Sequence, residues 1–404
     1  RTDYERAVMS FQWPSEGSGF NWASDYLDPM ASGNDKVAAV EYRSRDDVRE
    51  RSYSDLRAHS NQLANFLKDL GLVRSSRILV QMSNTLDMLD LTVAAMKHGL
   101  VLVPCAPILD TETLAERIVR TDCDAIICTP ENTTKVSLAL QISRHRRIPL
   151  LTTDADTPSE WRSLTECRTY NNCNSDPSMR PAEADPLLLY FTSGTTSRPK
   201  LVVHTNRSYP VGNLSTMFWI GITPPDRHVN LSSSGWAKHA WSSIFAPLNA
   251  SATVCLYNPP PTQAFCAEDC LRFLSHVRAT TLCAPPSVWR AFLGPLQSGG
   301  HSDVRLREAV SAGEPLTPDI LDGIRSTLRL TVRDGYGQTE ITAAIGTTPG
   351  MSVPAGYLGR VLPGYALEIE PQEGDGDDGE DDSDDSESGE EDGIAGKAAE
   401  RGQL

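Results

Sequence analysis

The sequence predicts an α/β protein built on stacked, mostly parallel β-sheets with flanking helices. Apolar runs of strand length alternate with stretches of helical periodicity from Tyr53 onward, the rhythm of parallel strands joined by crossover helices. Several of those runs empty into glycine-containing turns, which places exposed backbone groups at strand ends, where α/β sheets bind ligands. The 404 residues are 39% hydrophobic, enough for a large core.

Taken in order, Tyr53 to Leu70 has an amphipathic helical pattern through Leu56, Leu63, Phe66, Leu67 and Leu70, and Ile78-Leu79-Val80 follows as a short strand. Thr85 to His98 reads as a helix, Leu100 to Pro104 as a strand, Leu114 to Val119 as a helix, and Asp124 to Cys128 as a strand. Pro149-Leu150-Leu151 is a further strand, after which the polar stretch Thr152 to Asp185 reads as a long surface connection. Leu187 to Phe191 and Leu201 to His204 are strands on either side of a hydroxyl-rich turn. Val254 to Tyr257 and Thr281 to Ala284 are strands flanking the helix Ala267 to Val277. Val310 to Ala312 leads through Gly313 to the helix Thr317 to Leu328, with Thr317 at its cap and Pro318 at its first position.

The turn between Phe191 and Leu201 carries the clearest chemistry. Thr192, Ser193, Thr195, Thr196 and Ser197 surround Gly194, and Lys200 follows after Pro199. Small hydroxyls compete for backbone hydrogen bonds and glycine frees the chain, so several N–H groups can converge on an anion, with Lys200 adding charge. A solvated surface loop is the alternative reading. The Gly-x-x-x-x-Gly-Lys-Ser/Thr phosphate loop is absent. His204 has no neighbour that asks for a base or a ligand and reads as structural.

The stretch Tyr190-Phe191-Thr192-Ser193-Gly194-Thr195-Thr196-Ser197-Arg198-Pro199-Lys200 closely resembles the signature loop of the adenylate-forming superfamily. Two further matches follow in that family's order: Ser311-Ala312-Gly313-Glu314-Pro315-Leu316 and Asp334-Gly335-Tyr336-Gly337-Gln338-Thr339-Glu340. The resemblance spans roughly residues 20 to 370, and the opening Gly19-Phe20-Asn21-Trp22-Ala23 with Asp25-Tyr26-Leu27-Asp28 is most similar to the short- and medium-chain acyl-CoA synthetase branch.

The resemblance implies ATP, Mg²⁺ and coenzyme A as cofactors and a small carboxylate as substrate. Thr192 to Thr196 and Lys200 would cradle the phosphates. Gly313, Glu314 and Pro315 would pack along adenine and ribose, together with the segment Asp334 to Gln338. Within it Tyr336 would stack on adenine, the flanking glycines leaving room for a flat ring. Thr339 would bond the α-phosphate, and Glu340 would hold Mg²⁺, a role suited to a hard oxygen ligand. Lys200, Thr339 and Glu340 are thus the expected catalytic residues. In Ser232-Ser233-Ser234-Gly235-Trp236-Ala237-Lys238-His239, Trp236 and His239 are the expected contacts to the acid. The implied reaction gives an acyl-adenylate and pyrophosphate, then an acyl-CoA thioester and AMP.

Three departures set expectations of their own. Ser197 replaces a glycine; if that position needs positive φ, serine costs of order 1 kcal/mol. Residues 371–392 form an acidic stretch that cannot bury a core and is expected to be a disordered insertion, with 393–404 resuming a truncated continuation of the domain that occupies 1–370. The chain stops before the family's hinge and C-terminal lysine, which predicts either a fragment of a longer ligase or an impaired nucleotide-binding remnant. An amino-acid-activating domain of a peptide synthetase is the weaker alternative, because the opening segment matches the acyl-CoA synthetases. The chain also opens at Arg1 without methionine, which predicts a start further upstream.

The formal charge of −16 owes thirteen acidic residues to Glu373–Asp392, leaving −3 elsewhere. So balanced a body gives no sign of nucleic-acid or anionic-membrane partners. The nine cysteines lack a Cys-x-x-Cys pair and are expected to be reduced thiols in the cytoplasm, and no apolar run reaches the roughly twenty residues that span a bilayer.

Overall fold

A computed structural model describes residues 3–17, 19–173, 177–192, 199–260, 265–299, 301, 303–354 and 356–368. The acidic stretch 371–392 and the continuation 393–404 lie outside the described residues. So do Ser193 to Arg198 of the hydroxyl-rich turn.

The strands in chain order are β1 (Val37–Ser44), β2 (Asp47–Ser52), β3 (Arg77–Gln81), β4 (Val101–Pro104), β5 (Ala125–Cys128) and β6 (Leu150–Thr152). There follow β7 (Arg162–Ser163), β8 (Pro186–Thr192), β9 (Lys200–Thr205), β10 (Arg227–Asn230) and β11 (Thr253–Tyr257). The last are β12 (Thr281–Cys283), β13 (Glu308–Ala312), β14 (Val332–Gly337), β15 (Ala343–Gly346) and β16 (Arg360–Val361).

They build two sheets. One has the order β7-β6-β5-β3-β4-β8-β9, the other β16-β15-β14-β13-β12-β10-β11-β1-β2. Interior neighbours are parallel; the antiparallel pairs are β8 with β9, β1 with β2, β14 with β15 and β15 with β16, all towards sheet edges. The expected parallel α/β architecture is present.

Side-chain alternation assigns the layers. Ile78 and Val80 of β3 enter the core between the sheets while Leu79 faces the opposite side. That central core also takes the helices Tyr53–Asp69 and Leu86–His98. The second is almost wholly buried; the Thr85 side chain accepts from Met88 N at its start, and Gly99 ends it in the left-handed region at φ 68°. The far face of the larger sheet is covered by the helices Ala267–His276, Pro286–Gln297 and Pro318–Leu328. Thr317 stands at the cap of the last helix, as expected, but its side chain makes no capping bond. No helix among the described residues is long and apolar enough to cross a membrane. These elements belong to the unit formed by residues 1–366.

Candidate active site

Strand β8 ends at Thr192, which pairs with Lys200 at the start of β9. Residues 193–199 therefore join two antiparallel neighbours at the edge of the smaller sheet. Thr192 is half-buried and the Lys200 side chain is exposed. From the larger sheet, β13 and β14 run parallel with Ala312 opposite Gly335. Gly313 turns the chain at the end of β13 with φ 106°, a conformation that favours glycine.

The two sheets are tied together at the end of β14. The Thr339 carbonyl accepts from His204 Nε2 at 2.6 Å and from the Tyr209 hydroxyl at 2.6 Å. His204, on β9, also has Ser208 Oγ 3.0 Å from Nδ1 and stacks on Tyr209 with ring centroids 3.5 Å apart. Burial pushes its pKa below the ordinary histidine value, against the raising influence of the Thr339 carbonyl and Glu340. A neutral ring that donates from Nε2 and accepts at Nδ1 matches this geometry, so His204 is a positioning residue.

A cleft of about 430 Å³ opens beside these strand ends. Gly313, Glu314, Gly337, Gln338 and Thr339 line it, facing Trp236, Lys238 and Trp241. Trp236 is 59% exposed and stands at the cleft surface. His239 is different: it is 2% exposed, lines no part of this cleft, and burial drives its pKa down to about 4. Lys238, next to it in sequence, lines the cleft together with Trp236, and its Nζ donates to Ala312 O at 2.7 Å.

Asp334 and Leu316 line a second cleft, of about 400 Å³, with Arg325, Pro349 and Val353. The sequence motifs thus divide between two neighbouring depressions. Pro315, Tyr336 and Glu340 line neither. Burial pushes the Asp334 carboxyl up to about 6, although N–H bonds from Gly335 and Leu316 lower it. An aspartate whose folded pKa exceeds its unfolded value is favoured when protonated, and that contribution disappears as pH rises through about 6. Asp334→Asn should therefore stabilise the protein by of order 1 kcal/mol at pH 8 and by almost nothing near pH 4, read from urea midpoints at the two pH values.

The glycines around Tyr336 require a correction. The space above Gly335 is filled by the protein's own indole: a Cβ there would lie 2.4 Å from Trp219 Nε1. At Gly337 a Cβ would meet Thr342 O at 2.3 Å and Trp241 at 2.7 Å. At their own Cβ positions neither glycine leaves a gap: Trp219 closes the space at Gly335, and the Thr342 carbonyl with Trp241 closes it at Gly337. Tyr336 itself is half-buried.

Glu340 is exposed and lies near enough to His204 to act on its charge. An exposed carboxylate three residues past the end of β14 fits Mg²⁺, which keeps most of its waters and takes one or two protein carboxylates plus substrate phosphates. No cluster of three or more metal-ligating side chains occurs among the described residues.

Lys238, Tyr209 and Trp241 were not singled out in the sequence. Lys238 carried a signal, being two residues past Trp236 after the serine-glycine turn. Tyr209 had none, because its partner Thr339 is 130 residues away.

A family profile described as AMP-binding enzyme matches residues 29–390. A 4-hydroxybutyrate–CoA ligase of Metallosphaera sedula is 33% identical over 361 residues, which is 88% of this chain and 61% of that protein. The human mitochondrial acyl-coenzyme A synthetase ACSM3 is 28% identical over 358 residues, 87% of this chain and 60% of that one. This chain thus spans about 60% of the length of the curated relatives it matches. Among solved structures, the acyl-CoA synthetase of Brucella canis superposes with TM-score 0.80 at 21% identity, covering 92% of this chain and 70% of that one. That likeness bears on the fold.

Proposed function

This chain belongs to the AMP-binding enzyme family, and from that premise we propose that it carries the nucleotide- and acid-binding part of an AMP-forming acid–thiol ligase. The observation that supports this most is the pair of hydrogen bonds from His204 and Tyr209 to the Thr339 carbonyl, which ties the segment after β14 to the edge strand β9, which bears Lys200 and pairs with Thr192 of β8.

In this reading the hydroxyls and N–H groups of Thr192 to Thr196 and the Lys200 ammonium hold the β- and γ-phosphates. Thr339 bonds an α-phosphate oxygen, and Gly313, Glu314, Gly337 and Gln338, which line the same cleft, border the nucleoside. Trp236 borders the acid. One carboxylate oxygen attacks the α-phosphorus, the bond to the bridging oxygen of pyrophosphate breaks, and an acyl-adenylate results. The thiol sulfur of coenzyme A then displaces AMP. A carboxylate is already ionised at neutral pH, so no basic side chain is needed; alignment and charge neutralisation do the work. Mg²⁺, held by Glu340 and the phosphates, would supply positive charge to the oxygens that gain electron density.

The acid is short to medium in chain length, and the named substrate of the Metallosphaera relative brings hydroxy acids into the set to be tried. The nine cysteines, all free, fit a reducing compartment such as the cytoplasm. The test is thermal unfolding with Mg-ATP together with pyrophosphate release across acids from acetate to decanoate. Saturating Mg-ATP should raise Tm by several degrees, and at least one acid should release pyrophosphate. An unchanged Tm and no turnover with any acid would reject the reading.

A further inference from the structure

We propose that Lys238 makes the cleft selective for short carboxylic acids that carry a hydroxyl at the end remote from the reacting carboxylate. This rests on the ligase reading and names the substrate class of that same site.

The Lys238 side chain lines the cleft, and its one hydrogen bond among the described residues goes to Ala312 O at 2.7 Å. That bond places Nζ at the turn after β13, 3.4 Å from where a Cβ on Gly313 would stand. An ammonium has three N–H donors, so two remain for water or a ligand. Among the described residues no carboxylate lies within ion-pair distance of it. Ser232, Ser233 and Ser287 add hydroxyls to the same walls, and Trp236 and Trp241 supply apolar faces. A plain alkyl chain filling this space would strip water from an unpaired ammonium and replace it with nothing, a large penalty. A terminal hydroxyl accepts a charge-assisted hydrogen bond from Nζ and offers its own proton to a serine. A terminal carboxylate would also accept from Nζ, but it would share the cleft with the Glu314 carboxylate, a like charge that a hydroxyl does not meet.

The test is calorimetric titration of butyrate, 4-hydroxybutyrate and succinate into the chain and its Lys238→Met and Lys238→Gln variants, each also assayed for Mg-ATP stabilisation. The wild-type chain should bind 4-hydroxybutyrate about 10- to 100-fold more tightly than butyrate, with succinate below the hydroxy acid. Lys238→Met should erase most of that ratio and improve butyrate binding. A lysine that only ties the segment to β13 would weaken both acids equally and leave the ratio unchanged, which would overturn the proposal. Equal or stronger wild-type binding of butyrate would overturn it as well, without need of any variant. If neither acid binds to a wild-type chain that Mg-ATP still stabilises, the substrate proposal falls while nucleotide binding stands. Loss of Mg-ATP stabilisation in the wild type would instead count against the ligase reading itself.

Discussion

Gly335→Ala should destabilise the protein by about 2–3 kcal/mol, a large effect for one methyl group. The new Cβ would lie 2.4, 2.5 and 2.8 Å from three atoms of the Trp219 indole. That ring cannot yield easily. It is fully buried, its Nε1 donates to Asp334 O at 3.1 Å, and a Cβ on Gly346 would stand 2.5 Å from its Cδ1. Gly335 and Gly346 are direct partners on β14 and β15, so the indole covers a glycine pair. Urea unfolding measures the loss, and Trp219→Leu in the alanine background should recover part of it. An unchanged midpoint for Gly335→Ala would sink this account of the packing.

Glu340→Ala and Lys200→Ala should each lower adenylation about 10²- to 10³-fold, the usual loss when one preorganised charge partner is removed. Both side chains are exposed, so Tm should move by no more than about 1–2 °C. ATP–pyrophosphate exchange reads the first effect and differential scanning fluorimetry the second. Full exchange activity in either variant would remove that residue from the proposed chemistry. A collapse in Tm would show that its role is structural.

The parallel framework was legible because its strands are short apolar runs bounded by turns and its main helices have clean periodicity: Tyr53–Asp69 and Pro318–Leu328 fall where the pattern puts them, and Thr111–Thr121 encloses the expected Leu114 to Val119 but runs longer at both ends. Elements without those signals escaped. Strand β2 reads Asp47-Val48-Arg49-Glu50-Arg51-Ser52, a polar edge strand that pairs through its backbone and buries little. The helix Ser208–Ile220 contains Pro210 and Gly212 near its start, and Pro286–Gln297 contains Gly294 and Pro295, residues that locally read as breaks. Thr133–Ser143 opens on two threonines and has no side-chain cap.

At the site, the glycine and hydroxyl motifs were visible because each is a contiguous string with a backbone consequence. What fills the space beside a glycine is a tertiary fact, and here tryptophans 219 and 241 fill it. The same holds for Lys238, which only the fold distinguishes from its neighbour His239, turning one into the cleft and enclosing the other.

The bond between His204 and Thr339 links residues 135 positions apart. During synthesis at roughly 5–20 residues per second, Thr192, Lys200 and His204 leave the ribosome on the order of 10 s before their anchor does. Throughout that interval the nascent chain owns half of the proposed nucleotide site, with the edge strand β9 lacking the carbonyl that locks His204. Affinity for nucleotide should then arrive abruptly, late in translation, once residues 336–340 emerge. A ribosome stalled at residue 320 would hold a chain blind to ATP, and one stalled some forty residues beyond Glu340 would hold a chain able to bind it.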